Sequence, residues 1–332
     1  MDEKPDLSLL NEIVKFQKSR AILSAAELDL FTEIEATPSA APVLADRTGT
    51  DPRALTRLLD CLVTYGLLEK GTDDSYRTTE NGAFLSERHP DSILPMTLHM
   101  SATWKNWNRL TDSVQLGVNP ELESIVQSRT EQDRKSFIGG MHVIGRRMAR
   151  SIVADLDLSP YRRLLDIGGG SGIYTIACLE RNPDLNAVIF DLEHVIPLAR
   201  SRLEEAGLLD RVTLETGDFY KDPLPKGADV ALLSAIAHQN SPEQNLELFG
   251  KIHGVLEPGG VLFIRDYIMD ATRTRPARGA QFALHMLVCT PGGDTYTLDE
   301  VRDCLIEAGF VDVEQVRSGD LMESVVQARK GA

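Results

Sequence analysis

An apolar run that ends in an acid and breaks at once into glycines governs what this chain can fold into. Residues 162–172 read RRLLDIGGGSG, and a helix-forming stretch, IYTIACLER, follows. Glycines at a strand-to-helix turn let the backbone take positive φ and let a ligand approach with no Cβ in the way. Further short apolar runs lie downstream: NAVIFD (186–191), DRVTLE (210–215), DVALLS (229–234) and GVLFIR (260–265). Each has the length of a buried parallel strand. Helical segments fall between several of them, including HVIPLARSRLEEAG (194–207) and SPEQNLELFGKIHGVLEPGG (241–260). The last two runs, FVDVEQVRS and LMESVVQAR, are separated by too few residues for a parallel crossover and predict an antiparallel hairpin. The expectation is an α/β fold: a Rossmann-like, doubly wound sheet with an antiparallel C-terminal hairpin and a ligand site at the carboxyl ends of its strands.

The first 85 residues have a different texture, with short amphipathic helices and little strand. Leu9, Leu10, Ile13, Val14 and Phe16 form one apolar face, and AILSAAELDLFTEI (21–34) forms a second. A short helix ends at Gly49, and Asp51 caps another whose first helical residue is Pro52. Leu55, Leu58, Leu59, Leu62 and Val63 make that helix amphipathic, and Gly66 ends it. LLEKGTDDSYRTTENGAFL then reads as two strands around a Gly71-Thr72-Asp73-Asp74 turn. Helix, turn, helix and hairpin make a winged-helix pattern. Such modules can bind DNA, but the recognition helix offers only Arg53 and Arg57, opposed by Asp51 and Asp60. Residues 1–100 hold ten basic and seventeen acidic side chains, a net of −7, so packing or dimerisation is the better reading.

The whole chain carries 35 basic and 50 acidic residues, a net charge of −15, which works against broad binding to nucleic acid or anionic lipid. No uncharged apolar run approaches the ~20 residues of a membrane span. The start, MDEKPDLSLLNEIVKF, lacks the pattern of a secretory leader. Cys61, Cys178, Cys289 and Cys304 are scattered, without zinc-site spacing. A cytoplasmic protein with reduced thiols is expected.

Three ligand classes use glycine loops after a strand. A phosphate-cradling loop needs a Lys-Ser/Thr ending, which is absent. A dinucleotide fingerprint needs G-x-G-x-x-G, but counting from Gly168 and Gly170 the last position is Ile173. What remains is G-x-G-x-G preceded by an acid. The second strand ends in Asp191, 25 residues beyond Asp166, where a carboxylate can accept from both ribose hydroxyls of an adenosine. Asp191 could instead cap the helix that follows. In TGDFY, Asp218 could accept from an adenine amino group with Phe219 on the ring, or could be an ordinary turn residue.

With these residues in place, the sequence resembles class I S-adenosylmethionine-dependent methyltransferases, and within them the caffeic acid, acetylserotonin and bacterial polyketide or phenazine O-methyltransferases. The segments that carry the resemblance span nearly the whole chain: LLDIGGGSGIYT, VIFDLEHVIPLAR, TGDFYKDPLPKGADVALLSAIAHQNSPEQN, LEPGGVLFIRDYIMD and MLVCTPGGDTYTLDEVRDCLIEAGF. It implies an N-terminal winged-helix-like dimerisation domain over 1–95 and a catalytic domain over 96–332. The latter would comprise a helical linker and acceptor-pocket segment, 96–158, and a Rossmann-like core, 159–332. It also implies a homodimer, and S-adenosylmethionine held by Gly168, Gly170, Gly172, Asp191, Leu192, Gly217, Asp218, Phe219 and Ser234. His238 falls where the family keeps its general base, and Asp266 falls at the first of two usual flanking glutamates.

That chemistry is reasonable for the residue types. A sulfonium methyl is already activated, so in-line transfer needs alignment and a competent nucleophile. A phenol, with a pKa of about 10, is mostly protonated at neutral pH, and a neutral imidazole can take its proton as the oxygen attacks. An acid beside the imidazole would orient it and stabilise its protonated form. Several positions depart from plant members. Gln239-Asn240 stands for Asp-Trp, Thr295 for the second glutamate, and Ser234 for a lysine. HQNSPEQN is closer to a bacterial subgroup.

The resemblance places Trp104, Trp107, Phe137, Met141, His142, Phe282, His285 and Met286 around an acceptor pocket, whose apolar lining suits a small, aromatic hydroxyl compound. No His, Asp and Glu cluster has metal-ligand spacing, so metal-independent transfer is expected. Two other readings stay open on sequence alone: transfer to nitrogen, sulfur or carbon, and a non-catalytic winged-helix regulator that senses a metabolite.

Overall fold

The computed structural model describes residues 7–332. The first six residues, part of the acidic start on which the leader reading rests, lie outside the described residues. Two compact units emerge. One comprises the described residues to Trp104 together with Thr130–Val143, and the other comprises Lys105–Arg129 and Ile144–Ala332. Among the described residues no helix is long and apolar enough to cross a membrane.

In the first unit, the two expected apolar faces belong to one long helix, Leu7–Glu27, and a short one, Leu30–Ala36. The break falls at Asp29, whose φ of +51° cannot continue a helix. Helix Ala41–Thr48 ends at Gly49 with φ +64°. Helix Pro52–Thr64 begins as the sequence predicts: the Asp51 carboxylate accepts from the Ala54 amide at 2.8 Å, a cap worth about 1 kcal/mol. Leu55, Leu59 and Leu62 bury its inner face against Leu30, Phe31, Ile34, Leu44 and Tyr76. Strands Leu68–Lys70 and Ser75–Thr78 form the expected hairpin. A third strand, Ser39–Ala40, pairs antiparallel with Ser75–Thr78 and completes the wing. At two residues it is too short to leave a periodic signal. Leu9, Leu10, Ile13, Val14 and Phe16 are exposed on this chain.

The second unit is built on seven strands: β1 (Arg163–Ile167), β2 (Asn186–Asp191), β3 (Val212–Thr216), β4 (Ala228–Ser234), β5 (Leu256–Asp266), β6 (Phe310–Arg317) and β7 (Ser324–Lys330). Their order is β6-β7-β5-β4-β1-β2-β3. The five strands from β3 to β5 are parallel, whereas β7 runs antiparallel to both β5 and β6. The chain order reverses between β1 and β4, which opens a crevice at their carboxyl ends.

Alternation along the strands sends side chains to two cores. Leu165, Ile167, Leu233, Leu262 and Ile264 pack on Leu248, Phe249 and Ile252 of helix Pro242–Val255. Leu164, Val230, Leu232, Val261 and Phe263 pack on Ile152, Tyr174 and Leu179. That helix starts at a capping box formed by Ser241 and Gln244, which fixes where the preceding loop must end. The sequence reading carried its helical pattern on through LEPGG. Instead the helix stops at Val255 and residues 256–260 extend β5, because Pro258 and two glycines cannot continue a helix.

Candidate active site

The crevice collects side chains from the ends of β1, β2, β4 and β5 and from the loop after β3. After β1, Gly168, Gly170 and Gly172 all take positive φ, at +66°, +59° and +74°. Gly170 faces open space, since a Cβ there would meet no atom within 4 Å. Beneath the loop, Asp166 is fully buried. One of its oxygens accepts from Thr175 Oγ1 at 2.6 Å, and the other has no partner among the described residues. Burial, reinforced by Asp191, pushes its carboxyl up to about 6 against the Thr175 hydrogen bond and the Arg265 charge.

Asp191, at the end of β2, accepts from the Gly170 amide at 2.7 Å through Oδ2 and from the Leu192 amide at 2.7 Å through Oδ1. Burial raises its carboxyl above the usual range, and these two amides hold it down. A carboxylate offers about four lone-pair sites. Two are used here, which leaves capacity for a pair of hydroxyls. Leu192 is exposed.

After β3, Gly217 packs so closely on the Phe190 ring that a side chain there would displace it. Asp218 pairs with Lys221 at 2.9 Å and accepts from the Tyr220 amide at 3.0 Å; the Lys221 hydrogen bond lowers its carboxyl despite some burial. It is an ionised acceptor with a partly open face. The Phe219 ring lies against Gly168, where a Cβ would come within 3.5 Å of it.

Ser234, at the end of β4, accepts from Arg265 Nε at 2.7 Å. Arg265 is buried, lies 4.8 Å over the Tyr174 ring and donates to the Met322 carbonyl at 2.6 Å. The lysine that plant members usually carry at position 234 is thus absent, and a guanidinium from the neighbouring strand reaches the Ser234 side chain. Sequence reasoning missed Arg265 because it sits inside a strand-like run.

Beyond Ser234, Ala235 takes a left-handed φ of +59° and its amide bonds the Arg265 carbonyl. Such strain in a non-glycine residue turns the chain sharply into a short helical turn, Ala237–Gln239. His238 sits in that turn, nearly buried. Its Nδ1 lies 2.8 and 3.0 Å from the two oxygens of Asp266, and its amide donates to Asp266 Oδ2 at 3.1 Å. The Tyr267 amide also donates to Asp266, at 2.8 Å. A carboxylate only accepts, so Nδ1 carries a proton and Nε2 is left with a lone pair in the neutral ring. Asp294 N donates to the His238 carbonyl at 2.9 Å, and Gly293 lies so near that a Cβ would run into that oxygen.

An aromatic group surrounds the imidazole. The Phe282 ring meets His238 edge-on at 4.9 Å and lies 5.2 Å from Tyr267 and 5.5 Å from His285. Trp107 Nε1 donates to His285 Nδ1 at 3.0 Å. Burial, with His238 as a neighbouring titratable ring, lowers His285 to about 4, so it is neutral at pH 7 with its proton on Nε2. Met286 is buried on the same helix.

Comparisons with known proteins identify the family. The O-methyltransferase domain matches residues 107–311, and the O-methyltransferase dimerisation domain matches residues 10–88. This chain is an S-adenosylmethionine-dependent O-methyltransferase family member. It is 31% identical to the tetracenomycin polyketide synthesis 8-O-methyl transferase of Streptomyces glaucescens, over 92% of this chain and 91% of that one. It is 33% identical to the 3-hydroxy-5-methyl-1-naphthoate 3-O-methyltransferase of Streptomyces sahachiroi, over 90% and 88% of the two chains. Among solved structures, human N-acetylserotonin methyltransferase in complex with S-adenosylmethionine aligns with a TM-score of 0.84 and 26% identity, over 100% of this chain and 99% of that one.

The residues fit the cofactor of this O-methyltransferase family. An open glycine loop, an acid with two free lone pairs and an ionised acid beside a phenyl ring meet the needs of a ribose and an adenine. The acceptor-side residues divide between the units. Phe282, His285 and Met286 share the second unit with His238. Trp104, Phe137, Met141 and His142 belong to the first, where Arg20 lies 5.8 Å over the Trp104 ring and His99 meets Phe137 edge-on at 5.1 Å. Met141 and His142 are half-buried there. Thr295, at the position of the second family glutamate, is buried with its hydroxyl turned to the Gly279 carbonyl at 3.4 Å. Sequence reasoning also missed Trp107 as the partner of His285, since no spacing rule joins residues 178 positions apart.

Proposed function

We propose that this methyltransferase acts on a phenolic hydroxyl of a small aromatic molecule, with His238 as the general base and Asp266 as its positioning partner. The observation that carries the reading is the double contact of the Asp266 carboxylate with His238 Nδ1. It fixes the tautomer so that Nε2 can accept a proton, and it stabilises the imidazolium once formed. When bound, S-adenosylmethionine supplies an electrophilic methyl group. Asp191 would bond the ribose hydroxyls and Asp218 the adenine amino group. Gly168, Gly170, Gly172, Leu192, Gly217, Phe219 and Ser234 would line the rest of that site.

Three observations support an aromatic acceptor. Phe282, Tyr267 and the His285–Trp107 pair form an aromatic wall next to the base. The His285 ring is neutral and offers an N–H to a polar substituent rather than competing for the proton. Two relatives are named for a tetracenomycin polyketide and a hydroxynaphthoate. The exposed Leu10, Ile13 and Phe16 on a domain matched as a dimerisation module support a homodimer. The division into a dimerisation domain over 1–95 and a catalytic domain over 96–332 belongs to the same proposal. Incubation of the protein with methyl-labelled cofactor and a panel of phenols and naphthols, read by mass spectrometry, tests the reading. Aryl methyl ethers are expected. Methylation confined to amines or thiols would contradict it.

A further inference from the structure

The loop that carries Asp218 and Phe219 and the turn that carries His238 are joined by a closed ring of side-chain hydrogen bonds. Its polarity is forced from one end. The Ala237 carbonyl can only accept, so Asn245 points its Nδ2 there, at 2.9 Å. Asn245 Oδ1 must then accept from Asn240 Nδ2, at 3.0 Å. Asn240 Oδ1 is left facing the Tyr220 hydroxyl, which donates to it. The hydroxyl in turn accepts from Gln239 Nε2 at 3.2 Å. The ring therefore begins and ends on residues 237 and 239, on either side of the base. Asn240 and Asn245 are buried, and the Asn240 carbonyl accepts from the Tyr296 hydroxyl. On the cofactor side, Lys251 Nζ donates to the Phe219 and Tyr220 carbonyls at 3.1 and 2.9 Å, tying that loop to helix Pro242–Val255. Gln239-Asn240 is the pair that departs from the Asp-Trp usual in plant members of the family.

We propose that Tyr220, Asn240 and Asn245 are positioning residues that link the adenosine end of the cleft to the base, so that filling that end sets the orientation of the His238 ring. The inference rests on the reading of Asp218–Phe219 as the adenine pocket and of His238 as the base. Two discrete parts packed through such a network move together, because breaking a link at Asn240 or Asn245 leaves a buried donor or acceptor unpaired, whereas Tyr220 is itself partly exposed.

The test uses the full-length enzyme and S-adenosylhomocysteine. Tyr220→Phe removes only the hydroxyl. It is expected to bind S-adenosylhomocysteine within about threefold of wild type by calorimetry, while kcat falls about tenfold and acceptor KM stays within about threefold, as the loss of one buried hydrogen bond predicts. In histidine-labelled NMR spectra, S-adenosylhomocysteine should shift the His238 signal of wild type and leave it nearly unmoved in Tyr220→Phe. Asn240→Asp, which loses the donor to Asn245, should behave alike, and the double variant should be no slower than the worse single one. A Tyr220→Phe enzyme with wild-type kcat and a wild-type His238 response would overturn the linkage. So would a loss of S-adenosylhomocysteine affinity beyond about tenfold with kcat retained, which would make Tyr220 a direct cofactor contact. His238→Ala separates the two levels: full turnover by that variant removes the base reading itself, whereas a slow His238→Ala beside an unimpaired Tyr220→Phe removes the linkage alone.

Discussion

Asp266→Asn probes the base without changing its shape. The carboxylate accepts three donors: His238 Nδ1 at 2.8 and 3.0 Å, the His238 amide at 3.1 Å and the Tyr267 amide at 2.8 Å. A carboxamide has one accepting oxygen, so in either orientation its NH2 group faces one of the two backbone amides. An NH2 next to Nδ1 also favours the tautomer with its proton on Nε2, which can no longer take a proton from the acceptor. Losing a charge-assisted hydrogen bond and stranding a buried donor together cost about 3 kcal/mol, or about 10²-fold in rate. The expected result at pH 7 is a kcat about 10² lower, with S-adenosylhomocysteine affinity within about threefold. As pH approaches the phenol pKa of about 10, the acceptor ionises unaided and the deficit should narrow. Steady-state transfer from labelled cofactor across that range, with calorimetry on the same samples, measures both. A kcat within about threefold of wild type at pH 7, or a deficit unchanged at pH 10, would refute the reasoning.

Three further outcomes are expected. Asp191→Ala should weaken S-adenosylhomocysteine about 30-fold or more by calorimetry, because it removes the ribose acceptor and frees the Gly170 amide it restrains. Gly293→Ala should force the His238 carbonyl aside and lower kcat at least about tenfold while cofactor affinity holds, since a Cβ there would meet backbone atoms of His238 and Gln239 as well as Thr290 Oγ1. Asp166 has its carboxyl raised from 3.8 to about 6 by burial, so the folded state holds its proton more tightly than the unfolded chain does. That contribution is fully present below about pH 4 and is lost as pH rises through about 6. Relative to Asp166→Asn, wild type should therefore lose about 2 kcal/mol of stability between pH 4 and 7 in urea titrations.

Much of this architecture is legible in the chain. The apolar runs that predict β1, β2, β4 and β5 are strands because two-sided burial leaves little room for polar alternation, whereas β3 lies at the sheet edge and is only partly buried; the short link after β6 forces an antiparallel return. Asp51-Pro52 and Gly49 mark helix ends by local chemistry that tertiary context does not override. What escapes the sequence is set by contacts distant in the chain. Ser39–Ala40 pairs with residues 75–76, and β7 inserts between β5 and β6, which no local pattern records. The acids proposed for the cofactor site were visible because of their place by the strands: Asp191 ends β2, and Asp218 follows β3 in the next loop. Arg265, Tyr220 and Asn245 were not, because their roles depend on partners brought together only by the fold. Thr295 could be aligned with a family acid, but only the structure places its hydroxyl against the Gly279 carbonyl.

The account stands or falls on proton removal by His238. The direct measurement is single-turnover methyl transfer at pH 7 by wild type and His238→Ala, each saturated with cofactor, to two acceptors of similar shape. One is a phenol that is protonated at that pH, and the other is an electron-poor phenol already ionised. The account predicts a loss of about 10²–10⁴-fold for the protonated acceptor and little loss for the ionised one. Equal rates for the two enzymes, or an equal loss with both acceptors, would contradict it.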